Sequence, residues 1–224
     1  ATSIDGYITQ RIGFVPQQDE LLAGLNGKEH LDLFKAFRKT WNQNLVDRLI
    51  AEWLIPIDIS VAKMSVGQRQ KLSILLALAH EPELLILDEP VASLDPIARR
   101  QFLQQLVEIA ADEKRAVIFS THIVSDVERV ANHVWMLREG ELVYQGGLDE
   151  LKESFVRVTL TTGKPFAQKI NWPNVIRQKN SGNQSVLTFE HWQPEMQLLL
   201  AQEFSAEVRI EYLGSEDIFL ELNQ

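Results

Sequence analysis

The chain has 224 residues, with 22 Lys+Arg against 31 Asp+Glu and a net charge of −9. At roughly 150 residues per domain, this allows one full domain plus a small appendage, with enough chain to bury a core. The acidic balance argues against a general nucleic-acid binder; the absence of Cys excludes disulfides, thiolate metal sites and a Cys nucleophile; and the longest apolar runs, such as residues 74–79, are too short to span a bilayer.

No charged-then-apolar leader opens the chain, so the expectation is a soluble intracellular α/β or α+β protein. Residues 11–15 form a short apolar run stopped by Pro16, the pattern of a strand. Residues 28–37 set Leu31, Phe34 and Phe37 at helical spacing behind Asn26-Gly27. Asn42 is placed to cap a second helix carrying Leu45, Leu49, Ile50 and Trp53 on one face and ending before Pro56. Ser65 heads a long apolar helix that reaches about Ala79. Leu84-Leu85-Ile86-Leu87 is wholly apolar, as in a fully buried strand. Asp95-Pro96 combines a cap with proline in the first turn, and the helix behind it carries Phe102, Leu103, Leu106 and Ile109. Residues 116–120 read as another buried strand and 125–131 as a short helix. Residues 134–137 and 141–144 flank Glu139-Gly140, a hairpin signal, and 148–154 form a further short helix.

Buried strands alternating with helices predict a largely parallel sheet covered on both faces, with ligands at the carboxyl ends of the strands. Beyond about residue 155 the texture changes. Strands are expected at 157–160, 185–190 and 208–212, helices at 194–202 and 215–222, and a turn-rich loop at 180–183. The expected division is a main α/β domain over 1–154, with a helical part at about 27–80, and a small α+β appendage over 155–224.

The polar residues directly behind the strands carry the chemistry. Asp88 and Glu89 follow the 84–87 strand, and neighbouring residues at a strand end point in different directions. One carboxylate can therefore face a hydrated Mg²⁺, a cation that prefers hard oxygens and keeps its waters, while the other faces a reacting water. Ser65, Val66, Gly67 and Gln68 open a helix whose free N–H groups suit an anion, with Gly67 allowing close approach. Gln17 and His122 follow the first and third strands. Taken singly, each feature has a plainer explanation, as a cap, a turn residue or a structural histidine. Together, in one order, they resemble the nucleotide-binding subunit of ATP-binding-cassette (ABC) transporters over about residues 6–154, and the closing Leu213-Gly214-Ser215-Glu216-Asp217-Ile218-Phe219 run is similar to the tail of that family's bacterial export-type members.

Phe14-Val15-Pro16-Gln17 is similar to that family's glutamine loop, Ser65-Val66-Gly67-Gln68 to its signature, and Leu84 to Glu89 to the Walker B strand with its following glutamate. Ser93-Leu94-Asp95 is similar to the aspartate loop and Thr121-His122 to the histidine switch. The resemblance implies a P-loop NTPase-like cassette with ATP and Mg²⁺ as cofactors. Asp88 would hold Mg²⁺ through water, with Gln17 approaching it. Glu89 would be the general base or water-orienting residue, and His122 would contact the γ-phosphate and the attacking water. Ser65, Val66, Gly67 and Gln68 would clamp ATP held by a second subunit, and Ser93 and Asp95 would line the subunit interface. The implied partners are a second ABC ATPase subunit and a membrane-spanning permease, with no nucleic acid, and the implied location is cytoplasmic, at the inner face of the plasma membrane. Phe34, Phe37 and Trp41 are candidates for docking a coupling helix of the permease.

The sequence departs from the family pattern in having Val66 where Gly is commonest. It also contains no Gly-x-x-x-x-Gly-Lys-Ser/Thr. Gly27-Lys28 has Leu22 and Glu29 at the positions of the first Gly and the hydroxyl, and Gly163-Lys164 precedes Pro165. The phosphate loop supplies N–H groups, a Lys and a Mg²⁺ ligand. The expectation is therefore an ATPase subunit missing its N-terminal part, unable to hydrolyse ATP alone and exposing apolar sheet edges. The alternatives are a non-catalytic partner that donates its signature in trans, and a non-transport ABC-type ATPase.

Overall fold

The computed structural model describes residues 6–112, 114–166 and 169–223. The chain forms two compact units, 1–123 and 124–224. The first contains helix α1 (Gly6–Thr9), strand β1 (Ile12–Val15), helices α2 (Gly27–Ala36), α3 (Gln43–Trp53) and α4 (Val66–Leu78), strand β2 (Leu84–Leu87), helix α5 (Pro96–Ala110) and strand β3 (Ala116–Phe119). The strands are parallel in the order β1-β2-β3.

Local chemistry fixes the helix starts. Asn26 and Glu29 form a reciprocal capping box at α2, Asn42 accepts from Leu45 N–H at α3, and Asp95 accepts from Ile97 and Ala98 N–H at α5. The apolar face of α4 lies against β1. A Cβ on Gly13 would fall 2.6 Å from the Ala77 carbonyl oxygen, so only glycine admits this close approach. Leu72, Leu75, Leu85, Leu87 and Leu106 are fully buried, each contributing about 1.5–3 kcal/mol. Trp53 meets Phe102 edge-on, with centroids 6.3 Å apart, tying α3 to α5.

Within the first unit, and among the described residues, the sheet is covered on one face, not on both as predicted, and β3 is not a buried strand. Phe14, Ile86 and Ile118 stand in one row across the three strands; Phe14 is 57% and Ile118 41% exposed. The reason is topological. The strands follow one another in chain order, and right-handed crossovers in one direction place every connecting helix on the same side.

His80 closes α4 and is buried, with Nε2 3.1 Å from the Ile12 carbonyl oxygen. Burial, helped by the Arg38 charge, lowers its pKa below the ordinary 6.5. The unfolded imidazole therefore takes up a proton first as pH falls. Its contribution to stability is present above pH about 6.5 and declines as pH falls toward the lower folded value. Thermal melts from about pH 7.5 to 5 should show a destabilisation that is absent in His80→Gln; parallel wild-type and variant curves would refute it.

The second unit contains α6 (Val124–Val130), the hairpin β4 (His133–Arg138) and β5 (Glu141–Gly147), α7 (Leu148–Ser154), β6 (Val156–Thr161), β7 (Val175–Ser181), β8 (Gln184–Phe189), α8 (Met196–Phe204), β9 (Glu207–Tyr212) and α9 (Ser215–Leu222). Glu139 and Gly140, at φ 52° and 84°, make the hairpin turn. The antiparallel sheet runs β7-β8-β6-β9, with Val156, Val158, Leu160, Leu187, Phe189 and Leu200 in its core. Strand β7 is absent from the sequence reading because its residues are mostly polar. Compactness and the change of texture near 155 fall at different places. Val134, Met136, Leu148 and Leu151 share one cluster with Phe155, Leu213 and Ile218, which draws the hairpin and α7 to the C-terminal residues.

Candidate functional site

Val15, Leu87 and Phe119 stand side by side at the ends of the three parallel strands. The residues after them, Gln17, Asp88-Glu89 and Ser120-Thr121-His122, therefore leave one edge of the sheet. The Asp88 N–H bonds the Val15 carbonyl and the Ser120 N–H bonds the Leu87 carbonyl, both at 2.9 Å, so pairing continues one step past each strand.

The two carboxylates then diverge. Ser120 Oγ donates to Asp88 Oδ1 at 2.5 Å and accepts from the Glu89 N–H at 2.8 Å. Glu89 has φ 47°, a left-handed conformation that costs a non-glycine residue on the order of 1–3 kcal/mol and concentrates at functional sites. His122 Nδ1 lies 2.9 and 3.0 Å from the two Glu89 carboxylate oxygens. An ionised carboxylate only accepts, so Nδ1 carries the proton and Nε2 is left for another partner. The Glu89 side chain is 17% exposed and that of His122 69%. The carboxylate is the sheltered member of the pair, and the imidazole faces solvent.

Ser120 is the site residue that sequence reading passes over. Its only signal is a hydroxyl one step beyond β3, in register with Asp88. Gln17 is exposed at the same edge and makes no hydrogen bond among the described residues.

The start of α4 forms a second locus. Ser65 Oγ accepts from the Gln68 N–H at 3.2 Å, and Gln68 Oε1 accepts from the Ser65 N–H at 2.8 Å. Both side chains thus serve as a capping box, while Val66 lies 52% exposed. A Cβ on Gly67 would stand 3.2 Å from the Ser93 carbonyl oxygen, so this helix start sits directly against the 93–95 loop. The N–H groups of Ala98 and Ile97, bonded to Asp95, hold its carboxyl below the usual range. Arg69, one residue past Gln68, bonds Asp19 at 2.9 Å and so ties α4 to the loop that carries Gln17. Among the described residues, Ser65, Val66, Gly67 and Gln68 share no hydrogen bond with Asp88, Glu89 or His122. The structure builds two loci, one at the strand ends and one at the α4 start.

The oxygen chemistry fits Mg²⁺. Asp88 is exposed, with Oδ1 bound by Ser120 and Oδ2 making no hydrogen bond among the described residues. No group of three or more His, Cys, Asp or Glu side chains suited to a metal occurs among those residues. This donor set suits a cation that keeps several waters and takes one or two carboxylates.

Residues 4–92 match the family model described as ABC transporter. The chain is 34% identical over 149 residues to the bacitracin transport ATP-binding protein BcrA of Bacillus licheniformis, covering 65% of this chain and 48% of that protein. It is 27% identical over 221 residues to the uncharacterized ABC transporter ATP-binding protein YhcH of Bacillus subtilis, covering 95% of this chain and 72% of that one. The ATP-binding subunit of an ABC transporter, a solved structure 27% identical to this chain, superposes with a TM-score of 0.60 over 66% of this chain and 63% of that one. A dimeric ATP-binding cassette bound to ADP and Pi, 21% identical, shares the fold with a TM-score of 0.57. The chain spans about half the length of several of the curated relatives that it matches, BcrA among them.

Over about two thirds of the chain the fold is that of ABC-type ATPase cassettes. Residues 4–92 match the ABC transporter family model, and the chain is similar to ABC transporter ATP-binding proteins.

Proposed function

We propose that this chain acts as the ATP-binding subunit of an ABC transporter, coupling ATP binding and hydrolysis to transport by a membrane-spanning permease. The observation that carries the reading is the Asp88–Ser120–Glu89–His122 cluster at the carboxyl ends of parallel strands. Asp88 would hold a hydrated Mg²⁺, which when bound neutralises phosphate charge, with Gln17 beside it. Glu89 orients and deprotonates the attacking water. It does so once His122 releases one carboxylate oxygen, and His122 then turns its ring to the γ-phosphate.

The second locus serves a neighbouring subunit. Ser65, Val66, Gly67 and Gln68 present the N-terminus of a 13-residue helix, whose N–H groups and positive dipole end favour an anion. Its seat against Ser93 supports a sandwich in which each subunit's signature closes on ATP held by the other. The cassette would extend over about 1–154, with 155–224 as its accessory region. No helix among the described residues is long and apolar enough to cross a membrane, so transport requires a separate permease or a further segment. Phe37, open to solvent at the end of α2, belongs to the face offered to it. The proposed location is the cytoplasmic side of that membrane.

The test is reconstitution with a second ABC subunit that carries a phosphate loop. Phosphate release should appear at one site per pair. Gly67→Val, which presses on the Ser93 carbonyl, should lower it at least tenfold. If Gly67→Val has no effect while the pair still forms, the trans role of the signature is wrong.

A further inference from the structure

The second unit carries an open sheet edge that is complementary to itself, and the geometry points to a contact between two copies of this chain through strand β9. This inference does not depend on nucleotide binding. Among the described residues, β9 pairs only with β6. The Leu213 N–H bonds the Phe155 carbonyl at 3.3 Å. Hydrogen-bonded and non-bonded pairs alternate along an antiparallel ladder, so Glu207, Arg209 and Glu211 turn their backbone groups toward β6. Val208, Ile210 and Tyr212 present theirs outward, and the Tyr212 side chain is 62% exposed.

An unpaired edge of this kind templates another strand unless it is blunted. The opposite edge, β7, is blunted. It has a register irregularity between Val175 and Arg177, and antiparallel pairing with its own copy about Gln178 would set Arg177 against Lys179. Strand β9 reads Glu-Val-Arg-Ile-Glu-Tyr without such an irregularity. Paired antiparallel about Ile210, it sets Arg209 opposite the second copy's Glu211, and Glu211 opposite the second copy's Arg209. These are the non-hydrogen-bonded positions, where side chains approach most closely. On the other face Ile210 meets its own copy, and Val208 meets Tyr212 twice. Every facing pair is thus either opposite in charge or apolar, and the two four-stranded sheets join into one of eight strands.

The test uses the 224-residue chain in sedimentation equilibrium up to about 1 mM. Wild type should show a concentration-dependent dimer. Arg209→Glu, which faces Thr159 within its own sheet, turns two attractive pairs repulsive and should weaken association by about tenfold or more. Glu211→Arg, which also gives up the Arg157 contact at 3.5 Å within its own sheet, should do the same, and an equimolar mixture of the two variants should recover the dimer, because each then faces its opposite charge. Since the chain has no Cys, mixed Arg209→Cys and Glu211→Cys provide a second readout that does not depend on the charge variants' folding. They should oxidise to a cross-linked dimer that neither forms alone. A monomeric wild type, a dimer indifferent to Arg209→Glu, or no recovery and no cross-link in the mixtures would overturn the contact.

Discussion

Mixed with Mg-ATP, the pure 224-residue chain is expected to release phosphate no faster than the buffer blank. Phosphoryl transfer depends on positioning and charge stabilisation, and in P-loop enzymes both come from backbone N–H groups and a Lys at a helix start. The two Gly-Lys pairs of this chain cannot supply them. Gly27 opens α2, but a Cβ there would meet the Ile57 Cα at 2.8 Å, so this glycine serves helix-to-loop packing. The N–H groups at that helix start are also engaged, with the Glu29 N–H bonded to Asn26 and the Lys28 N–H to the Ile57 carbonyl. Gly163-Lys164 lies in an exposed turn, and no helix follows it directly among the described residues; the Lys164 carbonyl accepts from Thr162 Oγ1 at 2.6 Å. Neither Gly-Lys pair therefore offers the strand-end carboxylates a phosphate cradle among the described residues. Measurable Mg-ATP turnover by the pure chain, removed by Glu89→Gln, would show that another part of it binds phosphate.

Features set by local chemistry were legible in the sequence. Asn42, Ser65 and Asp95 each cap the helix they were expected to cap, and Asn26 caps the helix expected to start behind Asn26-Gly27, because a side-chain acceptor and a nearby N–H lie within three residues of one another. The three parallel strands were legible from their apolar runs, and Glu139-Gly140 marked its hairpin. Features set by distant partners were not. Ser120 joins Asp88 to Glu89 only because β3 lies beside β2, a pairing across more than 30 residues of chain. The exposure of Ile118 follows from strand order, which composition does not encode. Strand β7 forms from Val-Ile-Arg-Gln-Lys-Asn-Ser because β8 pairs with it, and its own polarity hides it. The compact unit starting at Val124 reflects Leu213 and Ile218 closing on the hairpin and α7, far along the chain.

In a cassette completed by a phosphate-loop segment fused before residue 1, Glu89→Gln is expected to lower kcat by roughly 10²–10⁴, the usual contribution of a general base. Gln keeps the length and shape of Glu, and the Glu89 N–H bond to Ser120 is a backbone bond that the substitution leaves in place. What is lost is the basic oxygen and the acceptor pair that holds His122 Nδ1. ATP and Mg²⁺ affinity should be preserved, because Asp88 and its Ser120 bond lie on the other side of the diverging turn. The variant should therefore bind ATP and retain it, and should accumulate the closed, ATP-holding pair rather than lose binding. Asp88→Asn in the same cassette separates the roles, since it should raise the Mg²⁺ concentration needed for binding. Equal loss of ATP affinity in both variants would mean that the two carboxylates share one function, and the division of labour drawn from the left-handed turn at Glu89 would fall.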